Sequence, residues 1–312
     1  MRSSCEASAV KRLIWVTVAS SRASGVHVYQ LADYNQAPAN LPGQTLSLAG
    51  RRPVSNFGII QISFNECNST YNALQAKLEK RFSKGFSLLN SFAWAKALDI
   101  APSNMESGNG DDYYMNFRNW GMNKGISDYD QKFQNTTSAI WEIPVGRHHK
   151  LGASIPGVAD AIVGGWRLAG INTMLGGQPV NFQYTPSTVA SVTTGLIMRP
   201  DLVGDPFLPS DQRTPQHWFN PAGLAVPAVS QPFGSAGRNI ARSAPLFQLD
   251  LALEKSFPIR EDKRLEFRTE AFNLQNRTNF MVPASNISNS NFGTVTSAFP
   301  ARQIQFALKF VF

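Results

Sequence analysis

The C-terminal part of the chain alternates with period two. Phe247, Leu249, Leu251 and Leu253 interleave with Gln248, Asp250, Ala252 and Glu254, which is the pattern of a strand with one apolar and one polar face. After a turn at residues 258–263, Leu265, Phe267, Thr269 and Ala271 alternate with Arg264, Glu266, Arg268 and Glu270. The polar face there is a ladder of alternating charges. The last segment sets Ile304, Phe306, Leu308, Phe310 and Phe312 against Gln303, Gln305, Ala307, Lys309 and Val311, and the chain stops on the aromatic.

Upstream, Leu74, Ala76, Leu78 and Phe82 alternate with Gln75, Lys77, Glu79 and Arg81. The turn Ser83-Lys84-Gly85 then reverses the chain into Phe86, Leu88, Phe92 and Trp94, a hairpin with glycine where short antiparallel connections want it. Residues 133–143 and 162–175 show the same habit less cleanly, and residues 57–65 and 25–31 more weakly still. With residues 13–19, the pattern predicts about ten strands. Two of them end alike: Leu78-Glu79-Lys80-Arg81-Phe82 and Leu253-Glu254-Lys255-Ser256-Phe257 both close a strand before a short turn. A lysine there, on an otherwise apolar face, is expected to run its ammonium to interfacial water along its stem.

Connection lengths give an argument independent of side chains. Residues 83–85, 144–161 and 258–263 fall on one side of the sheet, and the longer 99–132, 176–245 and 275–301 fall on the other. Outer-membrane barrels have short periplasmic turns and long external loops. On that rule the C-terminus faces the periplasm, and Phe82, Phe86, Trp141, Trp166 and Phe257 form a periplasmic aromatic girdle together with Phe312. The early chain breaks the rule, since 65–70 is short where it should be long and 32–56 is the reverse.

Composition narrows the choice. The 312 residues are 43% hydrophobic, a content that suits a soluble protein equally well. The longest apolar run, residues 13–19, is far short of a membrane-spanning helix. A bilayer crossing would therefore need a closed barrel, the other architecture that satisfies every backbone group in hydrocarbon. The competing reading, a soluble β-sandwich, would bury the same aromatics between two sheets, but it does not explain the one-sided loops and the charge-lined strand face. Lys11 and Arg12 before residues 13–19, with Ala19, Ser20 and Ser21 after them, weakly suggest a secretory signal. Glu6 and the short apolar run argue for a strand instead, so the chain as given is expected to lack a signal peptide.

The net charge of +8 is dispersed rather than gathered into a block, and the aromatics share faces with Leu and Ile rather than with a basic groove. Nucleic acid is not expected as a partner. Cys5 and Cys67 form neither a disulfide framework nor a ligand pair. Glu106, Asp111 and Asp112 match no ordered calcium loop, and the adjacent His148 and His149 would point to opposite sides of a strand. Gly164-Gly165 and Gly176-Gly177 flank a strand and suit bends. With no nucleophile elbow or phosphate loop, the sequence predicts no catalytic, cofactor-binding or metal-binding residues.

Longer segments carry a family resemblance. They are NFGII (56–60), STYNALQAKLEKRFSKGFSLLNSFAWAKALD (69–99), GGWRLAGINTMLGGQPV (164–180), RPDLVGDP (199–206), WFNPAGL (218–224), FGSAGRN (233–239), RLEFRTEAFNLQNRTNF (264–280) and RQIQFALKFVF (302–312). The chain resembles the TonB-dependent transporters of the Oar-like β-barrel type. The resemblance implies an all-β fold, an antiparallel transmembrane β-barrel of about 22 strands around a plug, of which residues 1–312 are the C-terminal part, with the plug absent. It implies the outer membrane of a Gram-negative bacterium, with outer-membrane lipid and the barrel insertion machinery as partners, and coupling to the TonB complex only through the missing plug. The function implied is uptake of an unknown bulky nutrient, as a fragment not competent alone. Phe306, Leu308, Phe310 and Phe312 would be the barrel-assembly signal, and residues 176–245 the ligand-contacting loop. The alternative is a self-contained outer-membrane surface-binding or adhesive β-protein.

Overall fold

The computed structural model describes residues 14–100, 116–147, 151–194, 198–260 and 263–312. Eight long strands make one antiparallel sheet: β1 (Ile14–Asp33), β2 (Gln61–Ser83), β3 (Phe86–Asp99), β4 (Phe133–Glu142), β5 (Trp166–Leu175), β6 (Leu246–Arg260), β7 (Lys263–Phe272) and β8 (Gln303–Val311). Each pairs with its sequence neighbours, so the sheet is a simple meander, with the two-residue segment Gly125–Ile126 added beside the end of β3. Among the described residues neither β1 nor β8 has a second long partner.

Eight strands replace the ten expected because two expected breaks are continuous strand. Residues 14–19 and 25–31 are parts of the single strand β1, and residues 57–65 and 71–82 overlap the single strand β2. The chain stays extended through irregularities, with register shifts between Gly25 and Val28 and between Val28 and Gln30. His27 takes a positive φ of 57° there. At Gly25 a Cβ would meet Ser69 Oγ at 2.4 Å, so the two strands approach closely only because the side chain is missing. The merger also removes the earlier exception to the loop rule. The connections at one end are 34–60, 100–132, 176–245 and 273–302; those at the other are 84–85, 143–165 and 261–262.

The β2–β3 hairpin is as tight as expected. Ser83 faces Phe86 across two residues, Lys84 and Gly85, with φ of 52° and 75°, the double positive φ that matches the twist of the flanking strands. In β5 the expected start was too early. Gly157–Val163 is a short helix, and the strand begins at Trp166.

Strand register defines two faces. Leu78, Asn90, Thr137, Asn172 and Leu249 form one row across five strands, and Leu88, Ala139, Gly170, Leu251, Ala271 and Ile304 form another. This face is mostly apolar yet open. Val16 is 68% exposed, Trp94 56%, Phe306 73% and Leu308 66%. A sandwich would bury these side chains; a lipid-facing wall leaves them uncovered by protein. One polar island interrupts it, where Asn90 Nδ2 donates to Asn135 Oδ1 and Thr137 Oγ1, both at 2.7 Å. The opposite face bounds a trough of about 690 Å³ that reaches from Lys77 and Glu79 on β2 to Arg268 and Glu270 on β7. The polar face is therefore the concave one.

Most fully buried side chains lie away from the sheet's middle, among the long connections. Val180, Phe182, Trp218, Phe219, Leu224 and Ala241 form one cluster, and Tyr184, Val192 and Met198 a second. Ala32 and Cys67 anchor a third where residues 116–120 pack against β1 and β2.

Candidate functional site

The concave face is built from the alternate residues of each strand, and its charges are paired across strands. Arg167 on β5 donates Nε to Glu254 on β6 at 2.9 Å, and Glu254 also meets Arg268 of β7 at 2.8 Å. Arg268 in turn bonds Glu270, which accepts from Gln305 on β8. Four strands are thus laced by one polar ribbon. Below it Arg264 and Glu266 pair at 2.7 Å, and on β2 Glu79 lies between Lys77 at 2.9 Å and Arg81 at 3.6 Å. Between these groups Leu89, Ile140, Ile171 and Phe272 contribute apolar patches to the trough. Such a wall offers donors and acceptors to polar solutes or to a protein segment.

At the long-loop end the connections fold together into a cap rather than extending freely. Asp33, at the end of β1, is its hub. Its Oδ1 accepts from the backbone N–H of Asn35 at 2.9 Å and Ile60 at 3.1 Å, and its Oδ2 from Arg52 at 3.3 Å and from the Thr193 hydroxyl. Arg51 donates to the carbonyls of Val189 at 2.9 Å and Ser191 at 2.6 Å, tying 34–60 to 176–245; burial lowers its guanidinium pKa. Arg199 reaches the carbonyls of Met122 at 2.5 Å and Ala236 at 2.9 Å. Arg238 pairs with Asp99 and bonds Ile126, and burial brings its pKa down to about 10, which still leaves it charged at neutral pH. Tyr184 is raised mainly by burial, secondarily by Asp201, and donates to Pro232 O at 2.6 Å as a neutral phenol. Residues 176–245, expected to contact ligand, are thus chiefly a packed element. Beside them is a second cavity of about 510 Å³, lined by Leu175, Leu246, Phe280, Met281 and Phe299 with Gln131 and Ser243.

Phe82, Phe86, Trp141, Trp166 and Phe257 all lie at the short-turn end. Phe86 faces Trp141 in register, Trp141 faces Leu168, and Trp166 faces Lys255. Phe82 is 54% and Trp141 42% exposed. On β8, Phe306, Leu308 and Phe310 share the apolar face, and Phe312 is 89% exposed. The two related lysines do not end in water as expected. Lys80 donates to Phe86 O at 2.8 Å and Ser83 O at 3.3 Å, and buried Lys255 to Ile162 O at 3.0 Å and to Gly164 O. Period-two reading placed them at strand ends, but their carbonyl partners leave no sequence pattern.

Glu106, Asp111, Asp112, His148, His149, Cys5, Lys11 and Arg12 lie outside the described residues. Among the described residues no group of three or more His, Cys, Asp or Glu is placed to hold a metal ion, and no helix is long and apolar enough to cross a membrane.

Comparison with known proteins gives one family. The outer membrane beta barrel domain profile matches residues 14–305. No curated protein matches the chain. Among solved structures, the outer membrane transporter YddB from Escherichia coli is similar with a TM-score of 0.45 and 7% identity, over 96% of this chain; the chain spans 30% of that transporter's length. With its antiparallel meander, apolar outer face and polar concave face, the chain belongs to the outer membrane beta barrel domain family and resides in the outer membrane of a Gram-negative bacterium.

Proposed function

We propose that residues 1–312 are the C-terminal wall of a TonB-dependent transporter that takes up a bulky nutrient, and that the chain is not an enzyme. The observation that carries this reading is the open, curved, eight-stranded sheet with its charge-laced concave face. Unpaired edges in hydrocarbon leave a row of backbone donors and acceptors unsatisfied, so the wall needs further strands to close. A wider barrel built that way has a lumen large enough for a plug, and the plug, outside this chain, is the part through which TonB would act. In this reading the long-loop cap faces outside, and Phe82, Phe86, Trp141, Trp166 and Phe257 form the periplasmic girdle. The Oar-like segments of the sequence support the same assignment.

The test is depletion of oligosaccharides, metal chelates and cobalamins from the medium by cells making the full-length protein, with and without an ionophore. Depletion of one compound that requires both the protein and the proton-motive force is expected. Depletion indifferent to the ionophore, or none for any compound, would contradict coupled uptake.

A further inference from the structure

The outward face changes character over one strand step. Ser20, Leu74, Trp94 and Phe133 stand in register across β1 to β4, and Trp94 projects its ring as an exposed side chain. Two residues further toward the long loops, about 7 Å along each strand, the next row is Arg22, Asn72 and Lys96. The row beyond it is mixed, Ser24 and Thr70 on the first two strands and Leu98 and Ile126 beside them. Arg22 and Lys96 are both exposed. The concave-face cations Lys77, Arg81, Arg264 and Arg268 each have a carboxylate within 3.6 Å. Neither Arg22 nor Lys96 has one within ion-pair distance among the described residues.

A tryptophan on the lipid-facing side of a barrel marks the boundary between hydrocarbon and headgroups. Cations one step beyond it stand at the depth of headgroup phosphates, and no carboxylate among the described residues neutralises them. We propose that Arg22, Asn72 and Lys96 bind the phosphate of a membrane-lipid headgroup. Arg22 and Lys96 are two strands apart, about 10 Å between backbones, so their long side chains reach a single phosphate above Asn72. The Arg22 fork and the Lys96 ammonium supply charge-assisted hydrogen bonds, and the Asn72 amide a neutral donor. Two such cations at a lipid surface correspond to about a thirtyfold preference for an anionic headgroup. This inference goes beyond the transport reading and does not depend on which solute crosses.

The experiment uses the full-length protein extracted in mild detergent, with lipid A and its dephosphorylated form titrated in and bound lipid counted by native mass spectrometry. The Arg22→Ser, Lys96→Ser double variant should bind lipid A at least tenfold more weakly than the parent. Should it fail to assemble, Lys96→Gln alone should bind about fivefold more weakly. Dephosphorylated lipid A should bind as weakly to the parent as lipid A does to the double variant, and millimolar inorganic phosphate should not displace lipid A. Unchanged binding in the variants, or equal binding of the dephosphorylated lipid, would overturn the proposal. Displacement by inorganic phosphate would mark a free-anion site instead, and a co-purifying acidic protein lost from the double variant would mark a protein interface; either result also overturns it.

Discussion

Lys255 donates its ammonium to the carbonyl of Ile162 at 3.0 Å and thereby ties strand β6 to the C-terminal end of the short helix Gly157–Val163. The same ammonium bonds Gly164 O and lies 5.3 Å from the Trp166 ring centre and 5.0 Å from that of Phe257. Lys80 repeats the arrangement at the β2–β3 turn, over the Phe86 ring at 4.8 Å. Lys255→Met should cost about 2 kcal/mol, because the buried Gly164 carbonyl loses a charged donor, and Lys80→Met less, because its carbonyl partners are only half-buried. Urea titration of the refolded full-length barrel, followed by tryptophan fluorescence, checks both. Equal and negligible costs would return these lysines to a purely interfacial role.

The cap should come apart separately from the wall. Asp33→Ala leaves the buried Arg52 guanidinium without its carboxylate and should cost about 3 to 5 kcal/mol locally. Limited proteolysis should then cut within 34–60 and 176–245 while the heat-modifiable mobility of the barrel persists. Loss of that mobility together with the cap would show the two to be one cooperative unit.

Much of the wall was legible because alternation is a local signal. Lys263–Phe272 and Gln303–Val311 stand where period two put them, while Leu246–Arg260 runs three residues into the turn expected at 258–263, and the one-sided loops gave the meander its polarity. The first two strands were misdivided. Ser20, Ser21 and Ser24 break the apolar pattern where the outer face becomes polar, and an irregularity at Gly25 to Val28 shifts the phase. The helix at Gly157–Val163 is under two turns long, too short to show a period. The cap was illegible for a different reason: Arg51, Arg52 and Arg199 hold it through backbone carbonyls of distant segments, and any residue supplies a carbonyl.

The two faces of β6 should respond differently to charge. Leu251→Arg places an ionised group in hydrocarbon and should cost roughly 2 to 4 kcal/mol. Asp250 is less replaceable than its concave-face position suggests. It accepts from the backbone N–H of Asn273 at 2.8 Å and from Gln248 Nε2 at 2.9 Å, and Asn273 carries a positive φ of 50°. Asp250→Arg should therefore cost about 1 to 3 kcal/mol through the unsatisfied turn, while Asp250→Asn should recover most of it. Chemical unfolding in detergent separates the three.

If Phe306, Leu308, Phe310 and Phe312 form the signal by which the insertion machinery recognises the barrel, deleting Phe312 should lower outer-membrane levels of the full-length protein without lowering its synthesis. Quantitative blotting of membrane fractions reads this, and unchanged levels would remove that role from the terminal strand.

The central claim is that one face of this sheet meets lipid and the other water. Single cysteines at Leu249, Leu251 and Leu253, and at Gln248, Ala252 and Glu254, placed in a background lacking Cys5 and Cys67, test it in native outer membranes. The first set should react with a membrane-dissolved label and resist a charged aqueous reagent, and the second set should do the opposite. Equal aqueous reactivity on both faces would contradict the barrel wall.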